Sequence, residues 1–152
     1  MSIKKDIQTK GFHSDQEKAF VNLIPTAAHF ESLFNNFIKD FGLSPQQYNV
    51  LRILRGQYPN TILGGDLQKR MIHKTSNATR LVDKLLEKGL VIREKNSDDK
   101  RQILVSINQQ GLKFLAKLDA EVLTFDKKIM NLPEGQLMVL NLLLDDLRQA
   151  SK

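Results

Sequence analysis

The sequence predicts a mainly α-helical fold with a small β wing, and three observations carry that prediction. Apolar residues recur at three- and four-residue steps over most of the chain, the period drops to two at residues 90–93 and 103–108, and Gly or Pro marks most changes of pattern. With 152 residues and 41% apolar composition the chain is long enough to bury one core, so a single domain over residues 1–152 is expected.

Each element follows from its own signal. Residues 1–15 are polar and aperiodic and are expected to be loose. From Phe20, the residues Leu23, Ala27, Phe30, Phe34, Phe37, Ile38 and Phe41 form one stripe of a long helix that Gly42 ends. Ser44, Pro45 and Gln47 then make a helix start. The serine caps free amides, the proline sits where its missing N–H costs nothing, and the glutamine closes the capping box. This second helix runs to Gly56, with Tyr48, Leu51, Ile53 and Leu54 inward. Ile62 and Leu63 form a very short strand or lead directly into a third helix containing Leu67 and Met71. Lys74 and Thr75 are expected to start a fourth helix after a three-residue turn, with Ala78, Leu81, Val82, Leu85 and Leu86 on its apolar face and Gly89 as its stop. Leu90–Arg93 and Ile103–Asn108 read as a hairpin whose tip, Asn96 to Asp99, is turn-forming. Gly111 is read as the end of the hairpin region. A fifth helix carries Leu112, Leu115, Leu118, Val122, Phe125 and Ile129, and Pro133 separates it from a sixth. The run LMVLNLLL at 137–144 is apolar nearly all round, which on so small a domain points to a partner subunit.

Composition removes whole classes of function. There is no cysteine, hence no disulfide, thiolate zinc site or cysteine nucleophile. His13, His29 and His73 lie far apart without a carboxylate pattern, so no metal is expected, and no cofactor. A glycine-rich phosphate loop and a nucleophile elbow are both lacking, which argues against an enzyme. No apolar run reaches the length of a membrane span and the first residues lack a secretory apolar core, so the chain is expected to be cytoplasmic.

The formal charge of +6 is concentrated. Ten basic residues (Lys69, Arg70, Lys74, Arg80, Lys84, Lys88, Arg93, Lys95, Lys100, Arg101) face five acidic ones between Lys69 and Arg101, while the remaining 119 residues are nearly balanced at thirteen against twelve. A short helix, a turn, a longer helix and a hairpin in this order make a winged helix-turn-helix, and the positive window falls on its reading parts. The apolar face of the fourth helix leaves Ser76, Asn77, Arg80 and Lys84 outward on one stripe. Such side chains suit base edges and phosphates, and free amides near Thr75 and Ser76 favour a phosphate at the helix start.

The segment KTSNATRLVDKLLEKGLVIREKNSDDKRQILVSINQQG resembles the recognition helix and wing of the MarR family of transcriptional regulators. Its marks are Thr79 to Leu85, Lys88 to Val91, Asp99 to Arg101 and Leu104 to Ser106, and the pattern extends over 43–111. The resemblance implies a DNA-binding lobe at 43–111 and dimerisation helices at 16–42 and 112–152. It further implies a homodimer that places two recognition helices in successive major grooves of double-stranded DNA, with the wings alongside the minor groove. Two-fold symmetry then calls for a pseudo-palindromic operator. Thr75, Ser76, Asn77, Thr79, Arg80 and Lys84 are carried over as contacts of the helix, and Lys95, Lys100 and Arg101 as contacts of the wing. Asp99 is carried over as the residue that orients a basic neighbour, since a carboxylate is repelled by phosphate. The chain departs from the family at Asp98, where an arginine is common, at Ile72, where the turn usually has glycine, and at Gln68, usually a small residue.

The family implies repression relieved by a small aromatic or anionic effector, with Phe30, Phe34, Tyr48 and Met71 as residues bordering the cleft, although each also reads as ordinary core. The rival reading is a winged-helix adaptor for protein contacts without operator binding, because one fold hosts many functions.

Overall fold

A computed structural model describes residues 3–150; residues 1–2 and 151–152, on which the expected loose segment and the expected last helix also fall, lie outside the described residues. Among the described residues seven helices and three strands follow in the order α1 (Ile3–Asp6), α2 (Asp15–Lys39), α3 (Pro45–Gln57), β1 (Ile62–Leu63), α4 (Gly64–Arg70), α5 (Ala78–Glu87), β2 (Val91–Lys95), β3 (Ile103–Ile107), α6 (Gln109–Ile129) and α7 (Glu134–Ala150). The mainly helical reading with a β wing holds. Contacts divide the chain into two compact units, one reaching to Lys117 and one starting at Leu118, so the boundary falls inside α6.

Local chemistry explains the element ends. Ser14 caps α2 by accepting from the Glu17 amide, and Gly42 leaves it in the left-handed region at φ +70°. The capping box of α3 is complete: Ser44 Oγ accepts from the Gln47 amide at 3.2 Å and Gln47 Oε1 accepts from the Ser44 amide at 2.9 Å. Gln47 is buried, so the box also removes a buried polar group from need of water.

The core of the first unit is built on α3. Val50, Leu51 and Leu54 are buried beside Leu67 and Met71 of the α4 region, Ala78, Val82 and Leu85 of α5, and Val91, Val105 and Ile107 of the sheet. The sheet order is β1-β3-β2, antiparallel throughout, with β1 pairing Ile62 to Val105 and β2 pairing Arg93 to Val105 across the other edge. The two-residue β1 is thus a real third strand that ties the start of α4 to the wing. In the second unit, α7 has no buried residue, and Met138, Val139, Leu142, Leu143 and Leu147 are all exposed.

Three expectations are corrected. The first residues are not wholly loose, since Ile3–Asp6 forms a helical turn with Ile3 buried. The fourth helix of the sequence reading starts at Ala78 rather than at Lys74, so the turn after α4 has seven residues and not three. Its apolar face begins only at Ala78, and nothing in Lys74 to Ser76 favours a helix over a turn. Gly111 does not end the hairpin but lies within the first turn of α6, where Asn108 Oδ1 accepts its amide at 2.8 Å.

Candidate nucleic-acid interface

The candidate reading head is α5 with the β2–β3 wing beside it. Asn77 is the N-cap of α5: its Oδ1 accepts from the Arg80 amide at 3.1 Å. The side chain expected to contact a base is thus engaged in starting the helix. Thr75 and Ser76 precede the helix, so the free amides of its first turn belong to Ala78 and Thr79. Thr79, Arg80 and Lys84 are exposed on α5. Loss of the cap in Asn77→Ala is expected to cost about 1 kcal/mol of stability in chemical denaturation. Asn77→Ser, which keeps a cap, is expected to hold both stability and DNA affinity. A large loss of affinity in the serine variant at unchanged stability would instead make Asn77 a base reader.

Partners sort the basic window into two sets. Arg93 on β2 pairs with Asp83 on α5, Lys69 with Asp66, and Arg70 with Gln57; Arg101 is held by Asp99. Lys74, Arg80, Lys84, Lys88, Lys95 and Lys100 make no ion pair or side-chain hydrogen bond among the described residues. The first set is engaged within the fold and the second is not. Asp83–Arg93 joins the recognition helix to the wing across ten residues of sequence, and no periodicity foretells it.

At the wing tip, Asp99 Oδ1 accepts from both the Arg101 amide at 3.0 Å and Arg101 Nε at 3.2 Å, while Oδ2 accepts from Gln102 Nε2 at 3.3 Å. Asp99 therefore orients its basic neighbour, and Arg101 remains 92% exposed. Asp98 Oδ1 accepts from the Ser97 hydroxyl, which keeps that carboxylate within the tip. Thr79 of α5 and Arg101 and Gln102 of the wing border one crevice with the first residues of α4, so helix and wing converge there.

The turn before α5 is built without glycine. Among the described residues only Gln8, Gly42 and Gly89 have positive φ, so Ile72 needs no left-handed backbone. Asn49 Oδ1 on α3 accepts from the Ile72 amide at 3.0 Å, and Gln68 Nε2 donates to the Lys74 carbonyl at 3.1 Å. The unusual Gln68 thus stitches the longer turn. His73 Nε2 stands 3.7 Å from Glu31 on α2.

Of the four residues read as bordering a ligand cleft, Phe30, Phe34 and Tyr48 line a cavity of about 500 Å³ with Glu31, Arg52 and His73. Met71 does not: it is fully buried in the core, and its neighbours Ile72 and His73 reach the cavity instead. No group of three potential metal ligands forms among the described residues, and no helix there is long and apolar enough to cross a membrane.

The model of the MarR family matches residues 43–103, the span from Leu43 through α3, α4 and α5 to the start of β3. A solved MarR transcription factor from Planctomyces limnophilus is 29% identical, with a TM-score of 0.70 over 89% of this chain and 98% of its own. Over residues 43–103 the chain is similar to the MarR family of transcriptional regulators, and its fold is that of the solved MarR structures. YkoM of Bacillus subtilis, an uncharacterized HTH-type transcriptional regulator, is 26% identical over 70% of this chain and 71% of its own length. A mutant MarR from E. coli, solved with operator DNA, shares the fold at a TM-score of 0.71 and 22% identity over 90% of this chain and 99% of its own. The MarR-type order of helix, turn, helix and wing is that seen here in α4, α5 and β2–β3.

Proposed function

We propose that this chain is a MarR-family, homodimeric, sequence-specific repressor that binds a pseudo-palindromic operator in double-stranded DNA and releases it when a small effector occupies the cavity of Phe30, Phe34 and Tyr48. The observation that carries the reading is the segregation of charge: Arg80 and Lys84 of α5 and Lys95 and Lys100 of the wing are left without partners among the described residues and Arg101 stays exposed beside Asp99, whereas Arg93, Lys69 and Arg70 are paired within the fold. Unpaired cations on an exposed helix and at an adjoining hairpin tip suit phosphates and base edges, where each neutralised phosphate releases counterions. Ser76, Thr79, Arg80 and Lys84 serve the helix contacts, with Lys95, Lys100 and Arg101 on the wing.

The dimer is supported by α7. Met138 and Leu142, and Val139, Leu143 and Leu147, repeat every four residues on one exposed face, and a second copy is the partner that covers an apolar helix face of this kind by symmetry. Repression follows if operator occupancy excludes polymerase.

Selection of genomic fragments by the purified protein, followed by sedimentation of the free protein, tests the reading. Expected are an enriched inverted repeat, a dimer in solution, affinity that falls steeply with salt, and less transcript from a template bearing the repeat. A monomer that enriches no sequence and binds DNA independently of salt would favour the adaptor reading.

A further inference from the structure

The cavity beside the reading head has an uneven chemistry. Its walls are the rings of Phe30 and Phe34 on α2 and Tyr48 on α3, with the Phe34 and Tyr48 centroids 5.6 Å apart. Its charged side chains are Glu31, Arg52 and His73. Aromatic faces attract cations through the ring quadrupole, and this wall already holds one: the Arg52 guanidinium lies 5.7 Å from the Tyr48 ring centroid while Nη1 donates to Tyr48 Oη at 2.9 Å. Arg52 is thus engaged at the wall. Glu31 is exposed, and its contact with His73 Nε2 at 3.7 Å is longer than a hydrogen bond.

We infer that the effector is a planar organic cation of two or three rings, which stacks on Phe30, Phe34 and Tyr48 and takes Glu31 away from His73. This rests on the regulatory reading above and names its ligand class. A volume of about 500 Å³ accommodates such a molecule. A permanent cation displaces His73 because that contact is long and exposed, while the ligand adds to its pairing with Glu31 the attraction of the aromatic faces on which it stacks. The consequence reaches DNA through the turn. His73 sits in residues 71–77, which end at Asn77, the cap of α5, and Ile72 of the same turn also borders the cavity. Glu31 and His73 both border the cavity, so a ligand seated between them displaces His73 and with it the turn that ends at the Asn77 cap, which Asn49 and Gln68 hold from the other side.

Three matched two-ring probes decide the matter: N-methylquinolinium, 2-naphthol and 2-naphthoate, titrated into the full chain without DNA by calorimetry and by proton NMR of the histidine rings, with His73 assigned from His73→Asn. The cation is expected to bind about tenfold more tightly than the anion and to shift the His73 resonance, and Glu31→Gln is expected to erase the preference. Tighter binding of naphthoate, binding of none of the three, or a preference that survives Glu31→Gln would overturn the proposal. On an operator complex, the cation is expected to weaken binding of the original chain and not of Glu31→Gln, which also controls for stacking of the probe on DNA. If the free protein shows the charge preference but no operator is enriched, the DNA reading fails and the ligand class stands.

Discussion

Arg80→Ala is expected to weaken operator binding by roughly 100-fold with no loss of folding stability. A well-placed arginine contact to a guanine edge contributes about 1–3 kcal/mol, and a two-fold dimer loses two of them at once. The folded state does not depend on the guanidinium, because Arg80 is exposed and its side chain has no partner among the described residues; only its amide is used, by the Asn77 cap. Surface changes of this kind leave stability within about 0.5 kcal/mol. Titration of the enriched operator and of a scrambled duplex at two salt concentrations separates the two roles open to the side chain. If Arg80 reads a base, the loss falls on the operator alone and the salt slope barely changes. If it clamps phosphate, both duplexes lose affinity and the slope drops by about one per subunit. Equal affinity of the variant and the original chain for the operator would remove α5 from the interface. Arg93→Ala makes the useful contrast: it breaks the tie to Asp83, so its loss of DNA affinity should come with lowered stability.

Which features are legible in the sequence depends on how local their causes are. The capping box at Ser44 and Gln47 is readable because four consecutive residues contain the whole interaction. The same holds for Asp99, whose bonds reach only Arg101 and Gln102, and for the outward position of Arg80 and Lys84, which the apolar period of Ala78, Val82 and Leu85 dictates. The start of α5 escapes the sequence because Thr75, Ser76 and Asn77 all carry side chains able to cap, and the choice of Asn77 is made by a turn fastened elsewhere. Asn49 and Gln68 do that fastening from α3 and α4. Met71 is implied as a cleft residue only by the family resemblance and also reads as ordinary core, and it is the core that takes it. Asp83–Arg93 joins consecutive elements across the turn at Gly89 and Glu31–His73 joins distant ones, and a single sequence holds no sign of either.

Gly111 shows the same limit in one residue, and Gly111→Ala is expected to destabilise the fold by about 2 kcal/mol. In the sequence, a glycine after a strand reads as punctuation. In the structure it lies in the first turn of α6, and a β-carbon there would stand 2.2 Å from the Leu90 carbonyl oxygen and 2.7 Å from Ile107 Cγ1. Leu90 precedes β2 and Ile107 ends β3, and the Leu90 carbonyl accepts from the Asn108 amide, so the obstacle is backbone that is itself bonded. Overpacking of this kind costs about 3 kcal/mol at the upper end of its usual range, and the better helix propensity of alanine returns at most about 1 kcal/mol. The clash therefore wins, and a melting point lower by about 4–8 °C is the expected reading. Gly56→Ala provides the opposite sign. Gly56 lies near the end of α3 without positive φ, and a β-carbon added there would meet nothing within 4 Å. The same substitution at 56 should therefore raise stability by about 0.5–1 kcal/mol. Two Gly→Ala changes in helices with opposite outcomes would establish that close approach of α6 to the base of the wing, and not chain flexibility, is what requires glycine at 111. A neutral or stabilising Gly111→Ala would mean that the wing base can shift away from α6, and the wing would then be less firmly aimed than the hydrogen bonds of Asn108 to Gly89 and Gly111 imply.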